Sequence, residues 1–69
     1  MLEKIPRLLF RSEVEQVVHL NRSTINALIR AGEFPRPLKL GRRRVAWLEQ
    51  DIASWIADKA QERSEREAR

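Results

Sequence analysis

The chain contains no cysteine and only one histidine. Disulfides and a Cys/His zinc site are therefore excluded as staples for the fold. It also contains no tyrosine, so one whole class of covalent nucleophile is missing. With 69 residues there is too little chain for a substrate pocket beside a core. No catalytic residue, cofactor site or metal site is expected. No apolar run approaches the length needed to cross a membrane, and no signal peptide is visible. An intracellular protein is the simplest expectation. No heptad pattern appears, which argues against a coiled-coil dimer. No apolar stripe is left over once a core is assigned, so the free chain is expected to be a monomer.

What is present is charge, and it is unevenly placed. Residues 1–19 carry three bases and three acids. Residues 20–47 carry Arg22, Arg30, Arg36, Lys39, Arg42, Arg43 and Arg44 against Glu33 alone, a net of +6. Residues 48–69 carry four bases and six acids, a net of −2. A basic excess confined to the middle of a chain is an electrostatic footprint for a polyanion. Of the fourteen basic residues only three are lysine. Arginine forks bind phosphates and guanine edges bidentately.

The segment Asn21–Ala31 organises the rest. Asn21 is a good N-cap residue. Ile25, Leu28 and Ile29 fall at i, i+3 and i+4, one helical stripe. Gly32 follows where a left-handed C-terminal cap is usual. The opposite face offers Arg22, Ser23, Asn26, Ala27 and Arg30, with no acid. Donors at the N-terminal end of a short helix suit the major groove of DNA.

Before it, Leu8-Leu9-Phe10 reads as a short strand. Ser12–Glu15 reads as a capping box that opens a helix ending near Val18. Ser12 is taken as a cap in preference to a phosphate ligand. Val14, Val17 and Val18 form its stripe. His19-Leu20-Asn21 makes a tight turn with Leu20 as a buried plug, which completes a helix-turn-helix. After it, Pro35 and Pro37 impose an extended path. Leu38-Lys39-Leu40 and Val45-Ala46-Trp47 then alternate at period two. Pairing Leu38 with Trp47 and Leu40 with Val45 puts all four apolar side chains on one face. The bend then carries Arg42, Arg43 and Arg44. Turns usually choose glycine, asparagine, aspartate or proline, so three adjacent like charges point to phosphate or minor-groove contact. Leu48–Ala57 reads as a third helix, with Trp47 and Trp55 anchoring the wing to it. Residues 58–69 read as a charged, frayed tail, with Glu62–Arg66 and Glu65–Arg69 as helix-compatible pairs.

The string LNRSTINALIRAGEFPRPLKLGRRRVAWLEQDIASWI, preceded by RLL and EV, resembles the AlpA family of prophage regulators. The resemblance runs from about Leu8 to Ile56. It implies a winged helix-turn-helix like that of excisionases and of the DNA-binding head of MerR regulators, mainly α with a small β-hairpin. The organisation expected is a lead-in over 1–7, the domain over 8–57, and the tail over 58–69. Carried over by position, Arg22, Ser23, Thr24 and Asn26 fall in the recognition helix, and Lys39 with Arg42–Arg44 in the wing. Together with Arg30 these are the candidate DNA-binding residues. Family members often have an aromatic at Asn26, a glycine at His19 and a serine at Asn21.

The function implied is a sequence-specific regulator of an integrated element. It would bind double-stranded DNA in the cytoplasm, at the nucleoid, several copies lying on adjacent sites. It would act on transcription, on excision, or on both. The alternative is a small interaction module that docks a site-specific recombinase or RNA polymerase through Phe34, Pro35 and Pro37 or the tail, without reading DNA.

Overall fold

The computed structural model of the chain describes residues 4–67. Three strands and three helices follow one another as β1 (Leu8–Phe10), α1 (Arg11–Val18), α2 (Arg22–Arg30), β2 (Leu38–Lys39), β3 (Val45–Leu48) and α3 (Glu49–Glu67). The sheet order is β1-β3-β2, and both pairings are antiparallel. The architecture is a winged helix-turn-helix.

The sheet departs from a simple hairpin. β1 pairs with β3, placing Leu8 opposite Leu48, Leu9 opposite Trp47 and Phe10 opposite Ala46. The pairing expected for β2 is corrected by one residue: Leu38 lies opposite Ala46 and Lys39 opposite Val45. The Leu40 N–H donates to the Arg44 carbonyl at 2.8 Å, which leaves Gly41–Arg43 as the loop. A slip of one residue turns every side chain of a strand over. Here Leu38 and Leu40 turn to the outer face and remain 42% and 47% exposed. The place they were expected to fill beside Trp47 is taken from elsewhere. Leu9 arrives from β1, and the Pro35 carbonyl accepts the Trp47 indole N–H at 2.8 Å.

The buried side chains are Leu9, Val14, Ile25, Phe34, Ala46, Trp47 and Ile52. Leu20, Leu28, Ile29 and Trp55 pack against them, partly buried. Phe34 links the two tryptophans, edge-on to Trp47 at 6.4 Å and to Trp55 at 4.9 Å. Phe34 is thus a core residue, and the docking surface imagined on Phe34, Pro35 and Pro37 loses its largest member. The outer sheet face carries Leu8 and Phe10 as well as Leu38 and Leu40, all about two-fifths exposed. The premise that no apolar surface is left over therefore does not hold.

Both α1 and α3 start where strand pairing and local caps set them, away from the positions the sequence suggests. α1 begins at Arg11, with Phe10 as its cap residue. The Glu13 carboxylate accepts the Phe10 N–H at 2.8 Å, so this carboxylate, and not Ser12, closes the first turn. Ser12 lies inside the helix, because β1 runs directly into α1 and fixes the start two residues earlier. α1 ends at Val18, and His19 adopts the left-handed conformation (φ 59°) that a glycine would take more readily.

α3 starts at Glu49, since Leu48 is still paired in β3. It runs on past Ala57 to Glu67 in place of fraying. Ala57–Arg63 holds good helix formers and no glycine or proline. Lys59 and Glu62 pair at 3.5 Å, one turn apart. Arg69 and its pairing with Glu65 lie outside the described residues. No helix among the described residues is long and apolar enough to cross a membrane. Residues 60–67 are all exposed, so ending the chain at Lys59 should move the melting temperature little. The cost expected is within about 0.5 kcal/mol, as for surface changes. A loss near 2 kcal/mol in thermal denaturation, the size of a core contact, would show that the tail docks.

Candidate nucleic-acid interface

Helix α2 is positioned by its two ends and its buried stripe. At the start, the Asn21 side-chain carbonyl accepts the Thr24 N–H at 2.9 Å. At the end, the Glu33 N–H reaches the Leu28 carbonyl (2.8 Å) and the Gly32 N–H the Ile29 carbonyl (3.0 Å). This is a Schellman closure, with Gly32 at φ +75° where a side chain would be strained. Ile25 is fully buried, so the helix cannot roll without exposing it. Arg22, Ser23, Thr24, Ala27 and Arg30 are exposed as a consequence, and Asn26 is half-buried beside them.

The wing is held by β3, the central strand. Its loop carries Arg42 and Arg43. Arg44 is not at the tip, as had been expected. It flanks the ladder, and its guanidinium lies over the Phe10 ring at 5.4 Å. That contact ties the base of the wing to the junction of β1 and α1.

Between the wing, the N-terminus of α2 and the start of α1 lies a cleft of about 470 Å³. Six of its nine lining residues are basic: Arg11, Arg22, Lys39, Arg42, Arg43 and Arg44. None is acidic, and none of the six forms an ion pair among the described residues. Like charges brought together in this way repel one another, and an incoming polyanion relieves the repulsion.

The structure thus brings together five of the residues singled out in the sequence: Arg22, Lys39, Arg42, Arg43 and Arg44. Ser23, Thr24, Asn26 and Arg30 do not line the cleft. They extend along α2, with Arg30 about 12 Å beyond Arg22 at the helical rise. Arg36 belongs to the basic segment of the sequence but not to the cleft. It lies on a separate open groove of about 910 Å³, with Trp55, Glu33, Asp51, Asp58 and Glu62. The chain therefore separates its charge more sharply in space than in sequence. Arg11 is the cleft residue that the sequence reading missed. Its neighbours Glu13 and Glu15 hide it in a neutral stretch, and only the β1–β3 pairing carries it to the wing.

A family model described as prophage CP4-57 regulatory protein (AlpA) matches residues 7–60. The chain belongs to this family. The match spans every element from β1 into α3, and so covers the helix-turn-helix, the wing and all six basic cleft residues. Among curated proteins, the chain is similar to an uncharacterized protein, ORF88, of Enterobacteria phage P4. They are 49% identical over 45 residues, which cover 65% of this chain and 51% of that protein. The chain thus spans about half the length of that relative. No solved structure matches. As a member of the AlpA family, the protein is of a phage regulatory type.

Proposed function

We propose that this AlpA-family protein is a sequence-specific, double-stranded DNA-binding regulator of an integrated phage element. The observation that carries the reading is the acid-free cleft between the wing and the N-terminal end of α2, with its six basic residues. Duplex DNA supplies what such a cleft takes, a regular array of phosphates beside a groove that admits a helix. α2 enters the major groove, with Arg22, Ser23, Thr24 and Asn26 towards base edges and Arg30 towards the backbone. The wing residues Lys39, Arg42, Arg43 and Arg44 neutralise phosphates.

One recognition helix covers little DNA, so tight binding takes several copies on adjacent sites. The regulatory output is transcription, excision or both. A recombinase or RNA polymerase is the kind of protein partner that either output would use. The groove beside Trp55, with its four acids, favours such a contact on a surface that shares no residue with the cleft.

Footprinting on DNA flanking the gene tests the reading. Protection over a promoter argues for transcriptional control, and protection over an attachment site for excision. Protection nowhere, at protein concentrations that coat no random DNA, would contradict sequence-specific binding.

Asn26→Ala tests the role of the helix separately. Asparagine pairs with adenine through two hydrogen bonds, worth roughly 1–3 kcal/mol of discrimination. The variant should relax preference at one or two base positions. Because Asn26 is neutral, the salt dependence of binding should not change. Titration of cognate and single-base-changed duplexes checks both.

A further inference from the structure

Arg11 differs from Arg22, Lys39, Arg42 and Arg43, and from Arg44, which also stacks, on Phe10, but stays exposed. It is the first residue of α1, directly after the strand that pairs with β3. Its guanidinium lies over the Trp47 ring, 5.2 Å from the centroid. That ring is itself held in place: it is fully buried, and its N–H is bonded to the Pro35 carbonyl at 2.8 Å. The Arg11 Nη1 atom is shielded from solvent and has no hydrogen-bond partner among the described residues. Arg22, Lys39, Arg42 and Arg43, by contrast, are exposed side chains with many rotamers.

A donor hidden from water without an acceptor costs stability, and a guanidinium cannot shed its charge to avoid that cost. Stacking on an indole compensates in part and fixes the plane of the fork. Nη1 is closed to solvent and so to any anion, but Arg11 lines the cleft, where the rest of its fork can be reached. A phosphate oxygen meets that fork with a charge-assisted hydrogen bond.

We propose that Arg11 is a fixed phosphate seat on the side of the cleft away from the wing tip. It holds one backbone phosphodiester of duplex DNA and so sets the register of the duplex between α2 and the wing. This rests on the DNA-binding reading above. The exposed arginines adapt to whatever backbone is near them. The stacked Arg11 accepts a phosphate at one place only.

The experiment titrates a flanking-sequence duplex at several chloride concentrations with the full chain, comparing the wild type with Arg11→Met and Arg11→Lys. Methionine keeps an apolar stem over Trp47 and removes the donors and the charge. Lysine keeps the charge and removes the planar fork. Melting curves of all three establish that each is folded at the temperature used. Arg11→Met is expected to lose about tenfold in affinity, the scale of a charged hydrogen bond. It should also lose about 1 from the slope of log K against log salt. A purely structural role would leave that slope unchanged. Arg11→Lys is expected to keep the slope and still lose several-fold in affinity.

Inorganic phosphate replacing chloride at constant ionic strength should change wild-type duplex affinity less than twofold. Strong competition by phosphate that disappears in Arg11→Met would assign the seat to free phosphate and overturn the proposal. Wild-type affinity and slope in Arg11→Met would overturn it too, as would wild-type affinity in Arg11→Lys. In either case tight duplex binding by the wild type would leave the broader reading standing. No binding by the wild type would remove both.

Discussion

Trp47→Ala is expected to unfold the domain. Trp47 is fully buried in the central strand, at the heart of the core cluster. It pairs with Leu9 across the sheet, contacts Phe34 edge-on, carries Arg11 on its face and donates to the Pro35 carbonyl. Truncating a buried aromatic costs roughly 3–5 kcal/mol. The loss would also leave the Pro35 carbonyl unpaired and Arg11 unsupported. A small domain of this size holds on the order of 3–10 kcal/mol in total. Circular dichroism should therefore show no cooperative melting for the variant at room temperature.

Trp55→Ala should be milder, although the sequence treats the two tryptophans as equivalent anchors. Trp55 is only half-buried, and its N–H bonds to the Glu33 carbonyl at a solvent-facing edge. Equal damage from both variants would mean that the core is centred nearer α3 than Trp47.

Replacing Arg42 and Arg43 together by alanine should produce the largest loss of DNA affinity from a double substitution that leaves the fold intact. Both residues sit on the Gly41–Arg43 loop, exposed, with no packing role. Thermal stability should stay within about 0.5 kcal/mol of the wild type. The slope of log K against log salt should fall by about 2, one for each phosphate contact removed. Affinity should drop on the order of 10–100-fold at low salt, and nearly alike for cognate and scrambled duplexes. A short loop cannot hold the bidentate geometry that base reading needs. Arg44 is left out of this variant because it also stacks on Phe10. Loss of specificity with little loss of general affinity would mean that the wing reads bases.

The parts of the fold that were legible in the sequence are those governed by neighbours in the chain. Asn21 caps α2 and Gly32 closes it, with Ile25, Leu28 and Ile29 inward, because each of these effects acts within one or two turns. His19 ends α1 for the same reason. What was not legible depended on distant partners. Leu8–Phe10 reads as a strand from its own residues, but its partner strand lies nearly forty residues later and is not marked locally. Without the β1–β3 pairing, the pattern of Leu38, Leu40, Val45 and Trp47 invites a self-contained apolar hairpin, one residue out of register. The same unseen pairing sets the start of α1 and brings Arg11 to the wing. The candidate site follows this division. The bases on α2 and the wing stand out as a local excess of charge, whereas Arg11 and the departure of Arg36 from the cleft emerge only from the tertiary fold.

The central claim is that the cleft exists to neutralise a DNA backbone. The measurement that tests it most directly is the affinity of the wild-type protein for a duplex as a function of salt. If most of the six basic cleft residues each meet a phosphate, log K should fall linearly with log salt with a slope of about −4 to −5. Cognate and random duplexes should share that slope while differing in affinity. A slope near zero, or no binding to any duplex at low salt, would contradict the account.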